Sequence, residues 1–145
     1  TMKVLPSIAP GAQPLPFMGP DSRYAMCRFD TTKAPVKITA TLPGAGWSLS
    51  IFSDKGDSIY TSVAQAGRRT DVSVLLSITD DKFAGLTPQA RGQSVREDRS
   101  LSLTAKRGVA ILRAPDQGMA YRAVNEAELM RSACGAQASA QAAMR

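Results

Sequence analysis

The stretch GWSLSIFSDKGDSIY, residues 46–60, decides how the rest of the chain is read. Its first half alternates, placing Trp47, Leu49, Ile51 and Ser53 on one side of an extended backbone and Ser48, Ser50 and Phe52 on the other. The SDKGD that follows supplies the Asp and Gly of a tight connection, after which Ile59 and Tyr60 resume an extended run. The predicted unit is a β-hairpin.

The same period recurs outward from it. RYAMCRFD (23–30) sets Tyr24, Met26 and Arg28 against Ala25, Cys27 and Phe29. VKITATL (36–42) sets Val36, Ile38, Ala40 and Leu42 against Lys37, Thr39 and Thr41, the pattern of a half-solvated strand in an antiparallel sheet. TTKAP and PGAG break the runs. VSVLLSI (72–78) is more apolar and is expected to be central, while LSLTA and VAILRA, flanking KRG at 106–108, predict a second hairpin. The polar segment 79–100, interrupted at Pro88, reads as a long loop with one helical turn.

Near the end the period changes. In MAYRAVNEAELMRSACG (119–135), Met119, Tyr121 or Arg122, Val124, Leu129, Met130 and Ala133 predict a helical face, with Asp116 or Gln117 to cap its start and Gly135 its end. Six to eight strands and one C-terminal α-helix make the chain mainly β. The expected architecture is an antiparallel sandwich, jelly-roll-like, or a partly open barrel.

The 145 residues suffice for one core. Residues 23–135 are expected to form it, preceded by a Pro-rich linker or strap (1–22) carrying Pro6, Pro10, Pro14, Pro16 and Pro20, and followed by a low-complexity tail (136–145). No run approaches the roughly 18 to 20 apolar residues needed to cross a bilayer. The chain starts at Thr1, so a longer precursor is expected. Its two cysteines, Cys27 and Cys134, suit a disulfide that closes most of the chain and, on the chain-entropy model, stabilises it by about 4 to 5 kcal/mol. The competing reading is two separate buried thiols. A disulfide points to an oxidising compartment such as a periplasm. Eighteen Lys and Arg against 12 Asp and Glu give a net charge of +6, which favours anionic partners of any kind.

YAMCRFDTTKAPVKITATLPGAGWSLSIFSDKGDSIY, with KRGVAILRA and RSACG further on, resembles the bacterial family called domain of unknown function 1254. The resemblance covers residues 23–135 and rests on packing and turn motifs. It implies a β-rich domain on the periplasmic side of the inner membrane, held by one N-terminal transmembrane helix upstream of TMKVLPSIAP. It supplies no reaction and no catalytic residues.

The chain contains no histidine, which removes the usual general base near neutral pH and the Ser-His-Asp and Cys-His arrangements. Weaker constellations remain: Asp54 with Asp57, Asp80 with Asp81, a serine (Ser48 or Ser50) with Lys37 or Lys55, and a reduced Cys27 beside Arg28. Each has a simpler structural reading. No metal site, no cofactor and no phosphate-cradling motif is expected, and nucleic acid is not the expected partner. Candidate ligand or anion contacts are Trp47, Arg68, Arg69, Arg96 and Arg99, with Arg91 beside the last two. The leading expectation is a non-enzymatic, membrane-tethered periplasmic domain with a binding or envelope-structural role, meeting anionic envelope components or a membrane protein. The alternatives are a hydrolase-like enzyme using Asp80, Asp81, Glu97 and Asp98, and a polyanion or anionic-lipid binding module.

Overall fold

The alternation read from the sequence is also the alternation of burial. In a computed structural model, which describes residues 2–6, 21–78 and 101–136, the strand Val36–Leu42 (β3) buries Val36, Ile38, Ala40 and Leu42 and leaves Lys37, Thr39 and Thr41 half exposed. The other strands are Lys3–Val4 (β1), Ser22–Asp30 (β2), Ser48–Ser53 (β4), Ser58–Val63 (β5), Thr70–Ser77 (β6), Leu101–Thr104 (β7), Arg107–Pro115 (β8) and Ala133–Ala136 (β9). One helix, Met119–Arg131 (α1), precedes β9.

The strands form two sheets, a five-stranded one in the order β1-β2-β8-β4-β5 and a four-stranded one in the order β7-β6-β3-β9. Their inner faces share one core that includes Ile38, Leu42, Leu49, Ile51, Leu76 and Leu112. This is a mainly β sandwich with a C-terminal helix, as expected. GWSLSIFSDKGDSIY forms the β4–β5 hairpin: the Ser53 N–H donates to the Asp57 carbonyl at 2.8 Å and the Gly56 N–H to the Ser53 carbonyl at 3.0 Å. Gly56 supplies the positive φ of 87° that this turn requires.

Cys27 and Cys134 are disulfide-bonded across a sequence separation of 107. Cys27 lies on the inner face of β2 and Cys134, opposite Ile38, on the inner face of β9, so the bond staples one sheet to the other. The helix sits beside it and touches both sheets.

Three expectations need correction. LSLTA and VAILRA are not a hairpin: β7 lies in the second sheet, parallel to β6, and β8 lies in the first sheet between β2 and β4. The KRG corner carries the chain between layers, fixed by buried Thr31, whose N–H donates to the Lys106 carbonyl at 2.9 Å and whose hydroxyl donates to the Ala105 carbonyl at 2.6 Å. Of the predicted helical face only Leu129 is buried; Met119, Tyr121, Val124 and Met130 are exposed, and the other buried residue of α1 is Asn125. Asn125 is anchored by polar bonds from its Nδ2 to the Pro115 carbonyl (3.2 Å) and Gln117 Oε1 (3.1 Å), which an apolar-periodicity reading does not register. Finally, Gly135 does not end the helix. Ser132 does, with extended dihedrals, and Gly135 belongs to β9; at the start the cap is Gly118, with Asp116 accepting its N–H at 3.1 Å.

Candidate functional site

The feature that the fold does not require lies on the outer face of the five-stranded sheet. Along β8, the small Ala110 and Ala114 point inward with Leu112, while the larger Val109 and Ile111 point outward. The register aligns Met26 with Ile111 and Ser50, and in the next row Arg28 with Val109 and Phe52. Met26, Ile111, Val109 and Phe52 therefore form a contiguous apolar quartet, half-buried by each other, on a surface that normally carries polar residues.

This floor is concave. An open depression of about 770 Å³ is lined by Arg28, Asp30, Phe52, Arg107, Val109 and Ile111, together with Asp54 and Gly56 of the β4–β5 turn. A second hollow of about 420 Å³, lined by Lys3, Leu5, Met26 and Arg28, adjoins it, and Arg28 belongs to both. Gly108 is needed for the closeness of the floor: a Cβ there would lie 1.9 Å from the Phe52 carbonyl oxygen and 2.7 Å from Phe29 Cζ.

Charge is arranged unevenly around the depression. At one end Asp30 accepts hydrogen bonds from the Thr32 hydroxyl (2.6 Å), the Thr32 N–H (2.9 Å) and Arg107 Nε (3.1 Å). The Thr32 bonds, and after them Arg107, lower the Asp30 pKa to about 2. Arg107 is thus occupied, but Arg28 and Lys3 are exposed and have no ion-pair partner among the described residues.

The residues singled out from sequence are dispersed. Trp47 is only 2% exposed and belongs to the core, so it offers no stacking face and is corrected from ligand contact to packing anchor. Arg69 is paired with Glu128 at 3.6 Å, while Arg68 is exposed at the neighbouring turn, remote in sequence and topology from the quartet. Arg91, Arg96 and Arg99, with the carboxylates Asp80, Asp81, Glu97 and Asp98, lie outside the described residues. Asp54 and Asp57 are in the hairpin turn, where the Ser53 hydroxyl accepts the Asp57 N–H at 3.1 Å. Lys37 is on the outer face of the four-stranded sheet and Ser48 and Ser50 on that of the other, so the sandwich separates them. Cys27 is consumed by the disulfide. Among the described residues no group of acidic or sulfur ligands is placed to hold a metal ion.

Sequence reasoning missed the quartet as a site. Its signal was present: Met26 and Arg28 share a side in β2, Phe52 stands on the side opposite Trp47, and VAILRA is apolar on both of its faces. What the pattern lacked was the order of strands, which places β8 between β2 and β4. No family model, no curated protein and no solved structure matches the chain.

Proposed function

We propose that this protein is a binding domain of the bacterial envelope, exposed to the periplasm and tethered to the inner membrane through a segment upstream of Thr1, and that it holds its ligand on the outer face of the five-stranded sheet. The observation that carries the binding role is the apolar quartet Met26, Ile111, Val109 and Phe52, bordering two adjoining hollows that share Arg28, which has no ion-pair partner among the described residues. Keeping such a surface hydrated is unfavourable, at about 25 cal/mol per Å² of apolar area, so its presence favours an occupant. Oxidation of the inter-sheet cysteines supports the compartment, because reducing cytosol opposes such bonds. The tether follows only from the resemblance read from the motifs of residues 23–135, which no family model matches.

Two measurements test this reading separately. Fusions of the intact protein to reporters active only outside or only inside the cytoplasm are expected to signal from the periplasm, and a cytoplasmic signal removes the envelope assignment. Amide spectra of the domain, titrated with separated envelope lipids, glycans and peptides, are expected to shift at Met26, Phe52, Val109 and Ile111. If no class of compound moves those amides, the binding role is wrong.

A further inference from the structure

The strand register says more about the occupant. Lys3 of β1 stands opposite Met26 of β2, and Arg28 lies two residues further along β2 on the same outward side. Such diagonal neighbours across an antiparallel pair have Cα atoms about 7 to 8 Å apart, within reach of two long side chains converging on one small anion. Both cations flank Met26 at the β1–β2 edge of the apolar floor, and the hollow of about 420 Å³ that they line shares Arg28 with the larger depression. From there the floor runs across β8 to Phe52 on β4, two strand spacings or about 10 Å away. Lys3 and Arg28 thus stand at the β1–β2 end of the apolar track, and the larger depression is lined further by the mutually paired Asp30 and Arg107 and, on the β4 side, by Asp54.

We infer that the ligand is a single-chain anionic amphiphile, a carboxylate or phosphate monoester on a short alkyl chain, with its head between Lys3 and Arg28 and its chain laid over Met26, Ile111, Val109 and Phe52. This rests on the proposed binding face and names its ligand class. The guanidinium of Arg28 bonds a carboxylate or phosphate oxygen, a charge-assisted contact stronger than a neutral one, and Lys3 adds a second positive charge. The alkyl chain displaces water from the quartet. Neither half alone suffices: a bare anion is held by two exposed cations in high dielectric, and a neutral amphiphile leaves both of them without a partner.

The test uses decanoate below its micelle concentration, with acetate and octyl glucoside as the anion-only and neutral-chain probes, read by amide shifts and calorimetry. Decanoate is expected to bind saturably at the quartet, and both controls at least about tenfold more weakly. R28Q is expected to weaken decanoate about tenfold or more, K3Q to weaken it less, and raised salt to weaken it in the native protein but little in R28Q. Circular dichroism of each variant separates lost binding from lost folding. Octyl glucoside binding as tightly as decanoate, or R28Q binding decanoate unchanged, overturns the anionic class while leaving the binding face in place. Failure of all probes at the quartet, with another compound class shifting it, also overturns the class. Sedimentation with phosphatidylglycerol vesicles that decanoate does not compete assigns the surface to a bilayer and overturns the single-chain ligand.

Discussion

The two outer faces of the sandwich are built from the same alternating pattern and differ in what they show to water. On the four-stranded sheet the outward residues include Lys37, Thr39 and Thr41 of β3 and Asp71 and Ser73 of β6, with the Thr41 hydroxyl donating to Asp71 at 2.8 Å; Leu75 is the apolar exception. The hollow there, about 380 Å³, is lined by those threonines, Asp71, Ser73 and Arg131. On the five-stranded sheet the corresponding positions of three adjacent strands hold Met26, Ile111, Val109 and Phe52. One face is polar, with the Thr41–Asp71 bond across it, and the other carries an apolar floor beside Arg28 and Lys3, neither of which has an ion-pair partner among the described residues. Both sheets bury their inner faces in one core, so core packing does not by itself require the difference, and the proposed binding role rests on it.

The comparison is sharpened first by removing what the two faces share. Replacing Cys27 and Cys134 by serine is expected to lower stability by about 4 to 5 kcal/mol in urea unfolding, since the bond closes a long loop and joins the sheets. Trp47→Ala should cost about 3 to 5 kcal/mol and leave decanoate affinity unchanged wherever the variant is folded, because the indole faces the core. An affinity loss without unfolding would return Trp47 to the site. Gly108→Ala is expected to cost about 1 to 3 kcal/mol and to weaken binding as well, because the added carbon pushes Phe52 and Phe29 apart.

Exchanging polarity between the faces breaks the comparison more finely. Val109→Thr on one sheet and Thr39→Val on the other should each change stability by less than about 1 kcal/mol, and only the first should reduce decanoate binding. The smallest effect concerns Asp30. Its folded pKa of about 2 lies below the ordinary carboxylate value of 3.8, so the stabilisation it gives is full above about 4 and disappears as pH falls towards 2. A carboxyl carbon titration should show this midpoint, and Thr32→Val should raise it more than Arg107→Gln, following the order of the causes.

Much of the fold was legible because a period of two states both the element and the side that is buried. β2, β3, β4 and β6 follow their sequence patterns, and the hairpin of residues 46–60 stands as read. Where reading failed, the deciding contact was distant or polar. LSLTA and VAILRA look like hairpin partners because they adjoin, but Thr31, more than seventy residues earlier, holds the corner that sends them to different sheets. The helix was read by its apolar side chains, of which Leu129 does seat it, but its other buried residue is the polar Asn125, and Met119, Val124 and Met130 face water. The site was the least legible part. Its members come from four strands, and nothing in the local sequence of Met26, Ile111 or Phe52 says that they are neighbours.

The methyl and methylene shifts of Met26, Val109 and Ile111 on one face and of Leu75 on the other, followed through a decanoate titration, put the central claim to its most direct test. The account predicts that the first three move together along one saturable curve while Leu75 stays still. Equal movement of Leu75, or movement of none of them, would contradict it.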